Sequence, residues 1–178
     1  ATGDGNTALG NSALRVNTTG ANNVAAGYYA LQANTTGAQN IAVGKDALVV
    51  NTTGSDNIAI GYDALDANTT TSKSIAIGYE ALTASTIGDT VAIGYRALKS
   101  LTTGIRNTAV GFQALNASST GAQNTAVGYN AGSGLGAGSA NTFIGHEAGY
   151  SVNIGEHNVS IGYNSMYLAT ETDYSIAI

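Results

Sequence analysis

The chain repeats one pattern of apolar and polar positions. Aligned on the glycine of A-[VI]-G, that glycine falls at Gly10, Gly27, Gly44, Gly61, Gly78, Gly94, Gly111, Gly128, Gly145 and Gly162. The spacing is 17 residues throughout, except for 16 between Gly78 and Gly94. The residue missing from that unit is expected near Gly88-Asp89-Thr90, in a turn that tolerates deletion. Two residues before the glycine usually stands Ala, flanked by Val, Ile or Thr, as in Ile41-Ala42-Val43 and Ile58-Ala59-Ile60. This alternation with β-branched enrichment predicts a strand. "NTTG" predicts a turn. "YxALxA" between them is too short for a stable helix and fits either a second strand or one helical turn.

One strand and a return path in each unit make one coil of a solenoid. The fold expected is all-β, a parallel β-solenoid (β-roll) of ten coils, with residues 1–178 as a single repeat domain. At about 4.8 Å per coil the rod is about 48 Å long. The columns then stack like on like. Asn6, Asn23, Asn40, Asn57, Asn107, Asn124, Asn141 and Asn158 share one column, broken by Ser74 and Thr90, and predict an amide ladder at a corner. The Ile/Val and Leu columns are expected to fill the dry interior. An aromatic column follows the glycine at Tyr28, Tyr62, Tyr79, Tyr95, Phe112, Tyr129 and Tyr163.

Neither strand face is polar. One carries Ile41, Val43 and the aromatic column; the other carries Ala42, Gly44 and their equivalents. A strand with one wet face alternates apolar and polar. One face can line the lumen and the other needs cover, so a homo-oligomer packed along its length is expected.

Composition sharpens this picture. Charged residues are 10% of the chain, the net charge is -5, and Cys, Pro and Trp are absent. There is no basic stripe for nucleic acid, no apolar run long enough to span a bilayer, and no thiolate for a metal or disulfide. No leader is visible at "ATGDGNTALG". Both termini fall inside a unit, which reads as a segment of a longer array.

The motif "[NS]-x-A-[VI]-G", as in Ser74–Gly78 and Asn124–Gly128, resembles the head repeat of trimeric autotransporter adhesins. That resemblance implies a left-handed β-roll with three chains along a common axis. Here Ala, or Ser165, stands where the family places its second Ser, and the second glycine comes three residues later, so the coil is larger. The longer "NTAVGYxALxxNTTG" form also resembles repeat regions of phage and bacterial tail-fibre-like proteins.

Candidate chemistry is sparse. His146 and His157 lie beside Glu147 and Glu156, the one conceivable metal set; solvated loop residues are the plainer reading, and no cofactor is expected. Asp46, Asp56, Asp63, Asp66, Glu80 and Asp89 read as scattered surface charge. Gly132–Ser139 lacks the Lys of a phosphate loop and reads as a looser return segment. Asn17, Asn34, Asn51, Asn68, Asn116 and Asn158 begin N-x-[ST] sequons, either glycan acceptors or turn chemistry. Adjacent pairs such as Thr35-Thr36 point to opposite faces, against an ice-binding array. The aromatic column suits a subunit interface, or a platform for sugars.

The function expected is structural and non-enzymatic: the shaft or head of an extracellular trimeric fibre, on a cell surface or virion, presenting a tip that meets a surface glycan or receptor. The alternatives are an unbounded, glycan-coated filament, and a glycan- or ice-binding module.

Overall fold

The computed structural model describes residues 3–178. It holds eleven short strands: β1 (Thr7–Leu9), β2 (Val24–Ala26), β3 (Ile41–Val43), β4 (Ile58–Ile60), β5 (Ile75–Ile77), β6 (Val91–Ile93), β7 (Thr108–Val110), β8 (Thr125–Val127), β9 (Thr142–Ile144), β10 (Val159–Ile161) and β11 (Ile176–Ala177). They form one sheet in chain order. All pairs are parallel and in repeat register, with Ile41 opposite Ile58, Ala42 opposite Ala59 and Val43 opposite Ile60. The chain is an all-β parallel β-solenoid of about ten coils, with no helix among the described residues.

Which face turns inward differs from the sequence expectation. From β2 to β10 the central residue of the strand is fully buried, Ala in all but β9 (Phe143) and β10 (Ser160), while its neighbours, mostly β-branched, point outward. The interior is built from Ala and Leu: Ala42, Ala47 and Leu48 are all at 0% exposure, as are their equivalents in most coils. Ile41, Val43 and Ile60 lie on the outside. The reason is room. Leu reaches across from the return segment and fills the lumen, so only a methyl group fits on the strand opposite it.

The return segment is neither a strand nor a helical turn. Its residues alternate in handedness: Asp46 has φ 57° and Leu48 φ 51°, and the same two positions repeat in every coil. Alternate amides therefore serve different partners. Ala30, Gln32 and Asn34 donate within their own coil, to Gly27, Tyr29 and Leu31. Leu31 and Ala33 donate to the next coil, to Ala47 and Val49. A left-handed Leu costs roughly 1–2 kcal/mol. Burying its side chain returns about 1.5–3 kcal/mol, so packing wins.

The glycine after each strand is required twice over. Gly44 has φ 133°, and a Cβ there would run into the carbonyl of Gly61 in the next coil. From Gly10 to Gly145 a side chain in this column would force the coils apart.

Two local expectations are corrected. In regular coils the corner carbonyl of Gly37 accepts the amides of both Asn23 and Asn34. In the short coil the Ile87 carbonyl takes that place, accepting Ser74 Oγ and Ser85 Oγ. The residue missing is therefore the second Thr of "NTTG", between Thr86 and Ile87, and not in the Gly88–Thr90 stretch. The Gly132–Ser139 segment is not looser either. Gly132, Gly134 and Gly136 donate to Ala148, Tyr150 and Asn153 at 2.8–2.9 Å, as regular coils do. Gly132 and Gly149 stand where Leu stands elsewhere, and the vacated space holds the fully buried ring of Phe143.

Candidate functional site

Two amide ladders run inside the solenoid. In the first, Asn40 N–H donates to Asn23 Oδ1 (2.9 Å) and Asn57 N–H to Asn40 Oδ1 (3.0 Å). It runs from Asn6 to Ser74 and again from Asn107 to Ser175. The second was hidden in the sequons. Asn34 Nδ2 donates to Asn17 Oδ1 (2.8 Å) and to Gly37 O (2.8 Å). Asn51 and Asn68 repeat this on the coils above.

This changes the reading of the sequons. Asn34, Asn51, Asn68 and Asn158 are fully buried. Each Nδ2 already donates twice, as Asn158 does to Asn141 Oδ1 and Thr172 O. A glycan replaces one of those hydrogens and needs open space outside, so these four are not acceptors on the folded chain. Asn17 begins the second ladder; Asn116 alone of the six has its carboxamide outside both ladders and is half-buried. Of the Thr pairs, Thr35 Oγ1 donates to Thr52 O (2.9 Å) while Thr36 is exposed.

The outer face of the sheet is the largest unexplained surface. It carries two columns of Val, Ile and Thr and then the aromatic column. Tyr62, Tyr79, Tyr95, Phe112, Tyr129, His146 and Tyr163 stack without a break, centroids 4.9–5.3 Å apart. Planes differ by only 6–11° from Tyr62 to Tyr129. His146, unplaced by the sequence pattern, is a member of this stack. Tyr28 is not: Lys45 intervenes, and Tyr28 tilts onto Tyr29 instead. Lys45 Nζ sits 4.8 Å from the Tyr62 ring centre and 2.7 Å from Asp46.

Stacking decides what this column offers. Each inner ring has both faces covered by its neighbours, so solvent meets edges and phenol tips. Tyr62, Tyr79, Tyr95 and Phe112 are 37–41% exposed in this way. A sugar binds an aromatic face, and here the faces are taken.

The acidic residues are less scattered than they read. Asp46, Asp63 and Glu80 occupy one column beside the rings on successive coils. Lys99 and Arg96 bond Glu80 at 2.5 and 2.7 Å and hold its carboxyl below the usual range. Burial, then the charge of Asp63, pushes Asp66 up to about 6.

The metal set does not converge. His146 is in the ring stack, 3.7 Å from Glu147, and His157 stacks on Tyr174 in a different column. Among the described residues no group of three His, Cys, Asp or Glu is placed to hold an ion. No helix of the described residues is long and apolar enough to cross a membrane. Comparison with protein-family models, with curated proteins and with solved structures finds no match.

Proposed function

We propose that this chain is a structural, non-enzymatic rod that works by packing along its length against further copies of itself. It forms the shaft or head of an extracellular fibre that holds a binding tip away from a surface. The observation that carries this is the outer face. It is mostly apolar along its length, relieved by Thr7, Thr108, Thr125 and Thr142, by Asn11 and by His146, and Lys45 is its one permanent charge. Four residues of strand by ten coils outline roughly 600 Å². That is the upper end of what monomers expose, about 300–600 Å², and near the ~800 Å² each partner gives a standard interface. Ring edges and β-branched side chains repeating at every coil suit a partner of the same period. Left-handed winding and three-fold packing belong to this reading through the adhesin resemblance.

The test is cryo-EM and solution mass of the native chain beside an Ile60→Lys/Ile93→Lys variant. A three-fold rod from the native chain, and a folded monomer from the variant, are expected. A native monomer would sink the proposal. An endless filament would make assembly itself the function.

A further inference from the structure

The solenoid is not equally bonded along its length. On the sheet side, the short coil is joined normally. Ile75 N–H donates to Thr90 O at 2.9 Å, and Gly94 N–H to Ile77 O at 2.7 Å. The return segment also continues, through Leu82 to Ala97 (3.0 Å) and Arg96 to Tyr79 (2.9 Å). Glu80 bridges from the short coil to Arg96 and Lys99 on the next.

The "NTTG" corner differs. In regular coils Thr52 N–H donates to Thr69 O at 2.7 Å, and Thr102 N–H to Ser119 O at 2.8 Å. Among the described residues no such backbone bond joins Thr69 to Thr86, or Thr86 to Thr102. Lys73 and Gln123 N–H donate to Ser55 and Ile105, whereas Asp89 and Arg106, in the same column, donate to no backbone carbonyl. Both amide ladders lapse at the same place. The first stops at Ser74 and resumes at Asn107; the second ends at Asn68, before Ser85. What remains at the corner is two long bonds, Ser74 Oγ to Ile87 O at 3.5 Å and Thr86 Oγ1 to Thr102 O at 3.4 Å. The corner glycine column also fails here, with Thr71 and Ile87 in two adjacent coils.

We propose that the short coil is a one-sided joint at which the rod bends. The sheet and the Glu80 clasp form the hinge, and the corner from Thr69 to Arg106 opens. The freed amides lie at the surface, where water pairs with them. Opening there breaks few bonds, and segments of that kind are the first to open. The deletion supplies the geometry: one residue less on one side of one coil releases that side alone. A rod jointed in this way can seat its two halves at different angles without unwinding either.

The experiment uses paired spin labels on the full chain, diluted into unlabelled chain so that only distances within one molecule are read. The native sequence has no cysteine, so labelling is specific. Thr19→Cys/Thr70→Cys and Thr53→Cys/Thr103→Cys each span three coil steps down one exposed column, and only the second pair crosses the joint. The second pair is expected to give a distance distribution roughly twice as broad. Equal widths would overturn the proposal. A repaired chain, with Thr inserted after Thr86 and Ser74→Asn, Ser85→Asn and Thr90→Asn, should narrow the second pair to the width of the first; an unchanged width would overturn it too. Should that variant misfold, amide exchange on the native chain decides. Asp89 and Arg106 should exchange about tenfold faster than Lys73 and Gln123, and equal rates would refute the joint.

Discussion

The two halves of the rod solve the same corner differently. In the first four coils the residue that turns into the corner is Asn17, Asn34, Asn51 or Asn68, and the column is a chain of amide bonds. Beyond the short coil the same column reads Leu101, Ser118, Leu135 and Val152, all buried. The backbone path is unchanged: Asn34 N–H bonds Leu31 O at 3.3 Å, and Leu135 N–H bonds Gly132 O at 3.0 Å. The corner does not require polarity or apolarity. It requires that neighbours in the column match, because a buried amide needs an amide above and below, and a buried Leu needs neither. Ser118, between two Leu, has a buried hydroxyl with no partner among the described residues.

The lumen shows the same contrast, and breaking it gives the largest effect expected. In the first half every coil pairs a small Ala with a crossing Leu. In coils eight and nine the crossing residues are Gly132 and Gly149, and Phe143 fills from the strand side. Phe143→Ala leaves that space empty and should cost about 3–5 kcal/mol in urea unfolding. Adding Gly132→Leu and Gly149→Leu rebuilds the arrangement of the first half and should recover most of the loss. Leu is acceptable there, since Leu48 already sits at φ 51° and Gly132 at φ 59°. A single variant costing under about 1 kcal/mol would mean the ring is not the filling of this half.

A smaller loss is expected from mixing the corner columns. Asn51→Leu removes the acceptor of Asn68 Nδ2 and the donor to Asn34 Oδ1. Asn34 Oδ1 is left without a donor, and Asn68 Nδ2 keeps only Thr71 O; a buried unsatisfied group costs about 1–3 kcal/mol, so a total near 3 kcal/mol is expected. In the other half Leu135→Met changes shape but not polarity, and should cost under about 1.5 kcal/mol. Urea unfolding of the two side by side sharpens the comparison. If Asn51→Leu were the milder, amide continuity would not be what holds the first half.

Much of this was readable from the residues. Strand positions, parallel register and the first Asn ladder follow from a strict repeat in which like must stack on like. The inward face did not follow. Hydrophobicity ranks Ile41 and Val43 above Ala42, but the lumen is too narrow for a branched residue opposite Leu48. The left-handed Leu was equally hidden, since propensity offers only helix or strand and neither allows its φ. The second ladder was masked by its own motif: N-T-T reads as a sequon until burial shows where the carboxamide points. At the candidate site, the aromatic column was legible, but that its rings cover one another's faces was not.

One column sets a half-buried charge against stacked rings. The residue after the crossing position is Asp66 in the fourth coil; in the ninth and tenth coils it is Tyr150 and Tyr167, stacked 5.0 Å apart. Asp66 is half-buried there, and burial lifts its pKa from 3.8 to about 6. The unfolded chain releases this proton near the lower value and the folded chain near the higher. Between those two values the folded state binds more protons, so stability falls as pH rises through that window and is level above it. A half-exposed carboxylate is partly screened, so the loss should be about 1 kcal/mol rather than the full value of the shift. Glu80 has the opposite sign: its lowered pKa gives stability that disappears as pH falls through it. The comparison of wild type with Asp66→Asn cancels that background. Urea midpoints from pH 4 to pH 7 should converge at the acid end and leave Asp66→Asn ahead by about 1 kcal/mol at neutrality. Parallel profiles would show that this turn tolerates a charge as easily as it tolerates the rings of the other half.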